Sequence, residues 1–201
     1  MSGKRLGILL SGRGSNFQAI ADQIAAGRLN AVVGAVISNQ PDAPGLATAR
    51  ERGLPVVSLP SKGVPRDDYD AQLVASLKSA DVDLVCLAGF MRLLTATFIQ
   101  AFPQRILNIH PSLLPAFPGL NAQAQALSHG VKITGCTVHF VDEGLDSGPI
   151  VAQAAVPVLN DDTAETLSAR ILVEEHRIYS EAIGRVLGGP WHVRGRRVVF
   201  E

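Results

Sequence analysis

No charge of either sign predominates in this 201-residue sequence, where 18 Lys and Arg match 18 Asp and Glu. That balance argues against a chain built to coat nucleic acid or an anionic membrane, although a local basic pocket stays open. Cysteine is scarce as well. The two present, Cys86 and Cys136, sit in apolar runs and read as small hydrophobes of buried strands. No Cys or His pair has zinc-ligand spacing, so no metal is expected. Long hydrophobic runs are missing too. The first run holds about five apolar residues before Ser11, too few for a signal segment or a membrane span. The expected compartment is therefore cytoplasmic. Repeats, low-complexity stretches and interdomain linkers are also absent. What remains is a chain with 47% apolar residues, enough for a substantial core and of a length that fits one domain.

Short apolar runs alternate with helical stripes. Strands are expected over residues 6–10, 31–37, 56–59, 83–88 and 105–109, and helices over 17–29, 45–52, 66–80 and 95–102. Such alternation indicates βαβ units and a mainly parallel sheet with helices on both faces. The pattern changes after residue 110. A Pro-rich loop spans 111–118 and a short helix 121–128. Strands over 131–141 and 149–158 are separated only by a loop, so they are expected to pair antiparallel. The longest helix is expected over 163–187. The fold class is α/β: single-domain, Rossmann-like, with antiparallel strands toward the C-terminus. Residues 1–189 make the expected domain, and the weak alternation of 190–201 fits a tail hairpin about Arg194 and Gly195.

The loop after the first strand reads Ser11-Gly12-Arg13-Gly14-Ser15-Asn16. A dinucleotide fingerprint needs a third Gly where Phe17 stands, and an acidic residue where Ser38 and Asn39 stand. The Gly-Lys-Ser/Thr of a P-loop is missing. Two readings stay open. Gly14, Ser15 and Asn16 suit one phosphate monoester at a helix N-terminus, or they form a tight turn capped by Ser15.

Residues 107–112 carry more information. Asn108 and His110 are two apart and point to one side of an extended strand, near the strand end where open α/β sheets place ligands. His110 alone reads as a satisfied structural histidine. The pair reads as a site, because Asn fits a buried strand poorly unless its amide is used. Between the two antiparallel strands lie Asp142, Glu143, Gly144, Leu145 and Asp146. Asp142 and Glu143 read as a solvated acidic turn. Asp146, flanked by Leu145 and a Ser-Gly-Pro turn, is a candidate for an inward carboxylate. Residues 89–94 follow the fourth strand, so they line a flat heterocycle pocket or merely enter the next helix. Glu175 shares the apolar stripe of Leu167, Ile171, Ile178 and Ala182. Its partner is either structural or a ligand's amine or hydroxyls.

Taken together, these stretches resemble the folate-dependent formyltransferases, in particular the phosphoribosylglycinamide formyltransferase family. The likeness runs from Leu6 to about Leu187. It is carried by residues 11–16, 87–92, 107–115, 117–120, 138–141 and 145–149, in that order and spacing. The resemblance implies 10-formyltetrahydrofolate as donor and the amine of N1-(5-phosphoribosyl)glycinamide as acceptor, in purine biosynthesis. It implies that Asn108, His110 and Asp146 are catalytic. Gly14, Ser15 and Asn16, with Val173, Glu174 and Glu175, would hold the ribonucleotide. Arg66, Met91, Arg92, Leu93, Leu94 and Asn108, with residues Asp142 to Asp146, would border the folate. Asn108 and a protonated His110 would stabilise a tetrahedral oxyanion, and Asp146 would favour the imidazolium. The partners expected are small molecules, without nucleic acid or membrane, for a monomer or homodimer.

The sequence departs from the family at Asn121 and Ala124, where many members carry His and Arg. Alternatives are a formyltetrahydrofolate hydrolase and a non-catalytic folate- or nucleotide-binding module. The hydrolases usually carry a regulatory domain before the first strand, for which a strand starting near residue 5 is expected to leave no room. A methionyl-tRNA formyltransferase would need a basic surface and a further C-terminal domain.

Overall fold

A computed structural model describes residues 3–201. The chain, expected as one domain, divides into two compact units, one ending at Leu107 and the other beginning at Asn108. The boundary falls inside a strand.

The first unit runs β1 (Lys4–Leu10), α1 (Ser15–Ala25), β2 (Ala31–Ser38), α2 (Pro44–Glu51), β3 (Val56–Ser58), α3 (Arg66–Ser79), β4 (Leu84–Leu87) and α4 (Ala96–Ala101). Its strands lie in the order β3-β2-β1-β4, all parallel. The middle strand β1 is covered on both sides. Leu6, Ile8, Leu9 and Leu10 are all 0% exposed, which is why this run is continuously apolar rather than alternating. Gly7 lets α3 approach, since a Cβ there would run into the Leu77 side chain.

Helix α1 starts at Ser15 and stops at Ala25, whereas the stripe pointed to 17–29. Gly27 takes φ +69° and turns the chain out of the helix. The residue before the helix is Gly14, left-handed at φ +66°, and no side chain caps the end. Ser15 is thus the first helical residue and not the cap.

The second unit begins within β5 (Ile106–His110). It contains α5 (Ala122–Ser128), β6 (Ile133–Phe140), β7 (Ile150–Pro157), α6 (Ala164–Gly188), β8 (Trp191–Arg194) and β9 (Arg197–Phe200). Here the order is β6-β7-β9-β8. Strands β6 and β7 pair antiparallel, as do β8 and β9, which turn at Gly195 and Arg196. The single pairing of β7 with β9, Ile150 to Arg197, is parallel. Helix α6 opens on a capping box of Thr163 and Thr166, and its stripe of Leu167, Ile171, Glu175, Ile178 and Ala182 is buried. The fold is thus α/β, with parallel strands first and antiparallel strands toward the C-terminus. Among the described residues no helix is long and apolar enough to cross a membrane.

Candidate functional site

Strand β5 ends on Asn108 and His110, placed on one side by the two-residue repeat. His110 is only 5% exposed, so its ring nitrogens must find partners within the protein. Nε2 lies 2.9 Å from the Phe117 carbonyl. A carbonyl only accepts, so this nitrogen carries a proton. Nδ1 faces Asp146 Oδ2 at 3.3 Å. The ring therefore faces an acceptor at each nitrogen.

The Asp146 backbone is itself left-handed, at φ +48°, a conformation that Asp tolerates better than most residues. The Gly119 N–H donates to Oδ2 at 2.8 Å. Burial alone would raise the Asp146 carboxyl. The His139 bond, the Gly119 N–H and the two histidine charges outweigh burial and hold it below the ordinary carboxylate range.

His139, which sequence reasoning passed over, stands beside Asn108 and Asp146. It is buried on β6, with Nδ1 2.9 Å from the Phe140 carbonyl, so Nδ1 carries the proton. In the neutral ring Nε2 is bare and accepts from Asn108 Nδ2 at 3.2 Å. In the charged ring Nε2–H faces Asp146 Oδ1 at 3.6 Å. His139 Nε2 thus serves Asn108 in the neutral ring and Asp146 in the charged ring. Its signal was a polar residue between Val138 and Phe140 in an apolar strand, the same signal that marked Asn108.

The loop over His110 is tightly held. Ser112 Oγ donates to the Ala116 carbonyl at 2.5 Å and the Phe117 carbonyl at 3.2 Å. Thr137 Oγ1 accepts from the Leu114 N–H and donates to the Ser112 carbonyl, and Gln153 Nε2 donates to Thr137 Oγ1 and the Leu114 carbonyl. These bonds decide where the Phe117 carbonyl stands.

The remaining candidates of the second unit differ among themselves. Asp142 Oδ1 accepts from the Gly144 N–H and from Ser147 Oγ, so this carboxylate serves its own turn. Glu143, Gly144 and Leu145 are exposed. Val173, Glu174 and Glu175 do not share a face, because consecutive helical residues point about 100° apart. Val173 is exposed, Glu174 pairs with Arg177 at 2.6 Å, and only Glu175 is buried. Burial, with Glu175 and Glu174 nearby, pushes the Cys136 thiol up to about 12, so it stays an inert thiol. Asn121 takes φ +56° at the start of α5, a conformation Asn tolerates.

In the first unit, Gly14, Ser15 and Asn16 stand at the N-terminus of α1, where backbone N–H groups have no intrahelical acceptor. Arg66 and Arg92 line a cavity of about 680 Å³ with Lys62, and no acidic residue lines it. Arg92 lies 4.5 Å from the centre of the Tyr69 ring. Burial raises the Tyr69 phenol to about 12, which keeps it neutral. Met91 and Leu93 are exposed, at 73% and 59%, and do not line that cavity. Among the described residues no group of three or more His, Cys, Asp or Glu is placed to hold a metal ion.

A strand-end Asn and His beside an inward Asp, on an α/β fold, fit a group-transfer enzyme, and comparison makes the class specific. The model of the formyl transferase family matches residues 4–183, and the chain belongs to that family, among its phosphoribosylglycinamide formyltransferases. The chain is 41% identical to phosphoribosylglycinamide formyltransferase of Escherichia coli (strain K12) over 195 residues, 96% of this chain and 89% of that protein. It is similar to the structure of glycinamide ribonucleotide transformylase 1 from Symbiobacterium toebii, with a TM-score of 0.96 and 55% identity over 98% of this chain and 94% of that one. It is also 49% identical, over 92% of its length, to the trifunctional purine biosynthetic protein adenosine-3 of Drosophila melanogaster. The chain spans only 14% of that larger protein.

Proposed function

We propose that this chain transfers the formyl group of 10-formyltetrahydrofolate to the amine of N1-(5-phosphoribosyl)glycinamide, a step of de novo purine biosynthesis. The observation that carries the reading is the cluster of Asn108, His110, His139 and Asp146 about the end of β5, with both histidines buried. The neutral amine attacks the formyl carbon. The carbonyl electron pair moves to oxygen, leaving a tetrahedral oxyanion and an ammonium. Asn108 Nδ2 and His110 Nε2 are the donors that stabilise this oxygen. To do so, Nε2 exchanges the Phe117 carbonyl for the oxyanion. Asp146 holds the imidazolium at Nδ1. A proton then passes from the new nitrogen to the folate nitrogen, through His110 or water, and the C–N bond to the folate breaks. The chemistry asks for hydrogen-bond donors and no metal.

Gly14, Ser15 and Asn16 bind the ribose phosphate through helix N–H groups, and Glu175 meets the glycinamide, with Val173 and Glu174 as its neighbours. Arg66, Met91, Arg92, Leu93 and Leu94 border the folate, with Asn108 and the loop of Asp142, Glu143, Gly144, Leu145 and Asp146. The protein works as a cytoplasmic monomer or homodimer on small molecules. The test follows ultraviolet absorbance while 10-formyltetrahydrofolate and the ribonucleotide are mixed with the protein. Formyl loss that requires the ribonucleotide supports transfer. Equal loss without it makes the protein a hydrolase, and tight binding of both compounds without turnover makes it a binding module.

A further inference from the structure

Asn39 directly follows β2, at the position where a dinucleotide-binding fold keeps an acidic residue for the ribose hydroxyls. Here the side chain is 5% exposed and turned inward. Its Oδ1 accepts from Ser11 Oγ at 2.6 Å, and its Nδ2 donates to Ser61 Oγ at 3.3 Å. Ser11 in turn holds the segment after β4 at two points. Its N–H donates to the Gly89 carbonyl at 3.1 Å, and its Oγ accepts from the Met91 N–H at 2.9 Å.

The direction of these bonds matters. A serine hydroxyl has one proton. Because Asn39 Oδ1 takes that proton, the Ser11 lone pairs are left for the Met91 N–H. The Met91 N–H can only donate, so what Asn39 adds is to hold the Ser11 hydroxyl by its one proton, with a lone pair kept toward Met91. Gly89 supplies the turn at φ +76° that brings the segment back to Ser11.

The held segment has no regular structure between β4 and α4, yet it keeps Met91 and Leu93 largely in water. Its far end is also fixed, since the Thr95 N–H donates to Asp70 Oδ2 at 2.7 Å. Arg92, between the two anchors, is set over Tyr69. An exposed apolar segment pinned at both ends is a preformed wall for a flat apolar ligand, and prior ordering saves that ligand an entropic cost.

We propose that Asn39 is a positioning residue for the folate-binding segment Met91–Leu94, acting through the Ser11 hydroxyl. The inference rests on the formyl-donor reading above.

The test compares Asn39→Leu, Ser11→Ala and the double variant with the native protein. Asn39→Leu is expected to raise KM for 10-formyltetrahydrofolate about five- to tenfold, the scale of one or two lost hydrogen bonds. KM for the ribonucleotide and kcat stay within about twofold, a split that a general loss of structure would not give. Ser11→Ala shows the same split, and the double variant is no worse than Ser11→Ala, because both residues act in one chain of bonds. Amide hydrogen exchange at Met91 speeds up in each variant, while exchange in β1 stays slow. An unchanged folate KM, two KM values rising together, or additive effects would overturn the proposal. If Asn39→Leu does not fold, Ser11→Ala carries the same expectations. If the native protein transfers no formyl group, the donor reading fails, and Met91 exchange still decides whether the relay exists.

Discussion

The loop at Gly14 and the cluster at His110 are built in opposite ways. The first is six consecutive residues between β1 and α1, and what it offers a ligand is backbone. The second gathers side chains from β5, β6 and the loop before β7, as far apart in sequence as Asn108 and Asp146. A backbone site depends on conformation and tolerates many side chains. A side-chain site depends on identity, and each member leans on the others. The two should therefore fail differently.

The largest effects are expected in the cluster. His110→Ala and Asp146→Asn each lower kcat by about 10²–10³-fold, with the ribonucleotide Kd little changed. Steady-state rates beside calorimetric binding check this, and a near-native rate in either variant refutes the assigned roles. His139→Ala is expected to cost about tenfold in kcat, one lost hydrogen bond that shapes two neighbours. Combined with Asp146→Asn it should add little. Additive losses would separate His139 from the cluster.

The loop should respond in stability and affinity instead. Gly14→Ala forces an alanine into a left-handed conformation, with its Cβ 2.9 Å from Leu10 Cδ2. Urea unfolding is expected to show a loss of about 1–2 kcal/mol. Ser15→Asp brings a negative charge to the helix N-terminus, so the ribonucleotide binds several-fold more weakly while kcat at saturation is kept. Unchanged affinity would remove this loop from the phosphate site.

The smallest effect is in pH. The Asp146 carboxyl is lower in the folded protein than in the unfolded chain. Its contribution is therefore complete above the ordinary carboxylate value of about 4 and is lost as pH falls through the lowered folded value. Asp146→Asn should flatten this part of the stability curve below about pH 4, as read by unfolding midpoints. A curve of unaltered shape would show that the carboxyl is not held low.

The same contrast explains what the sequence made legible. Strands and helices followed from apolar period, and β6 with β7 from the short loop between them. Glu175 was legible because a carboxylate interrupted a buried stripe. Gly14 was legible as a turn, but its left-handed angle, and so the true start of α1, depends on a backbone choice that composition does not encode. The end of α1 was overrun because the apolar stripe continues to Leu29 while Gly27 turns the chain. His139 and Asn39 escaped for another reason. Each takes its meaning from partners distant in sequence, 31 residues away for Asn108 and 28 for Ser11. Asp146 was legible as an inward carboxylate from its Leu145 and Ser-Gly-Pro flanks, and it reaches His110 while Asp142 closes its own turn.

In the proposed mechanism, the Phe117 carbonyl at His110 Nε2 has a consequence for selectivity. At rest the proton of Nε2 already has a partner, so an arriving formyl oxygen must compete for it. A neutral formyl carbonyl is no better an acceptor than a peptide carbonyl, and the exchange leaves the free energy nearly level. An oxyanion accepts about twice as strongly, so only the charged oxygen wins the proton outright. The resting contact thus acts as a reference against which the reacting oxygen is weighed. It cancels what the donor would give to the ground state and leaves the part that lowers the barrier.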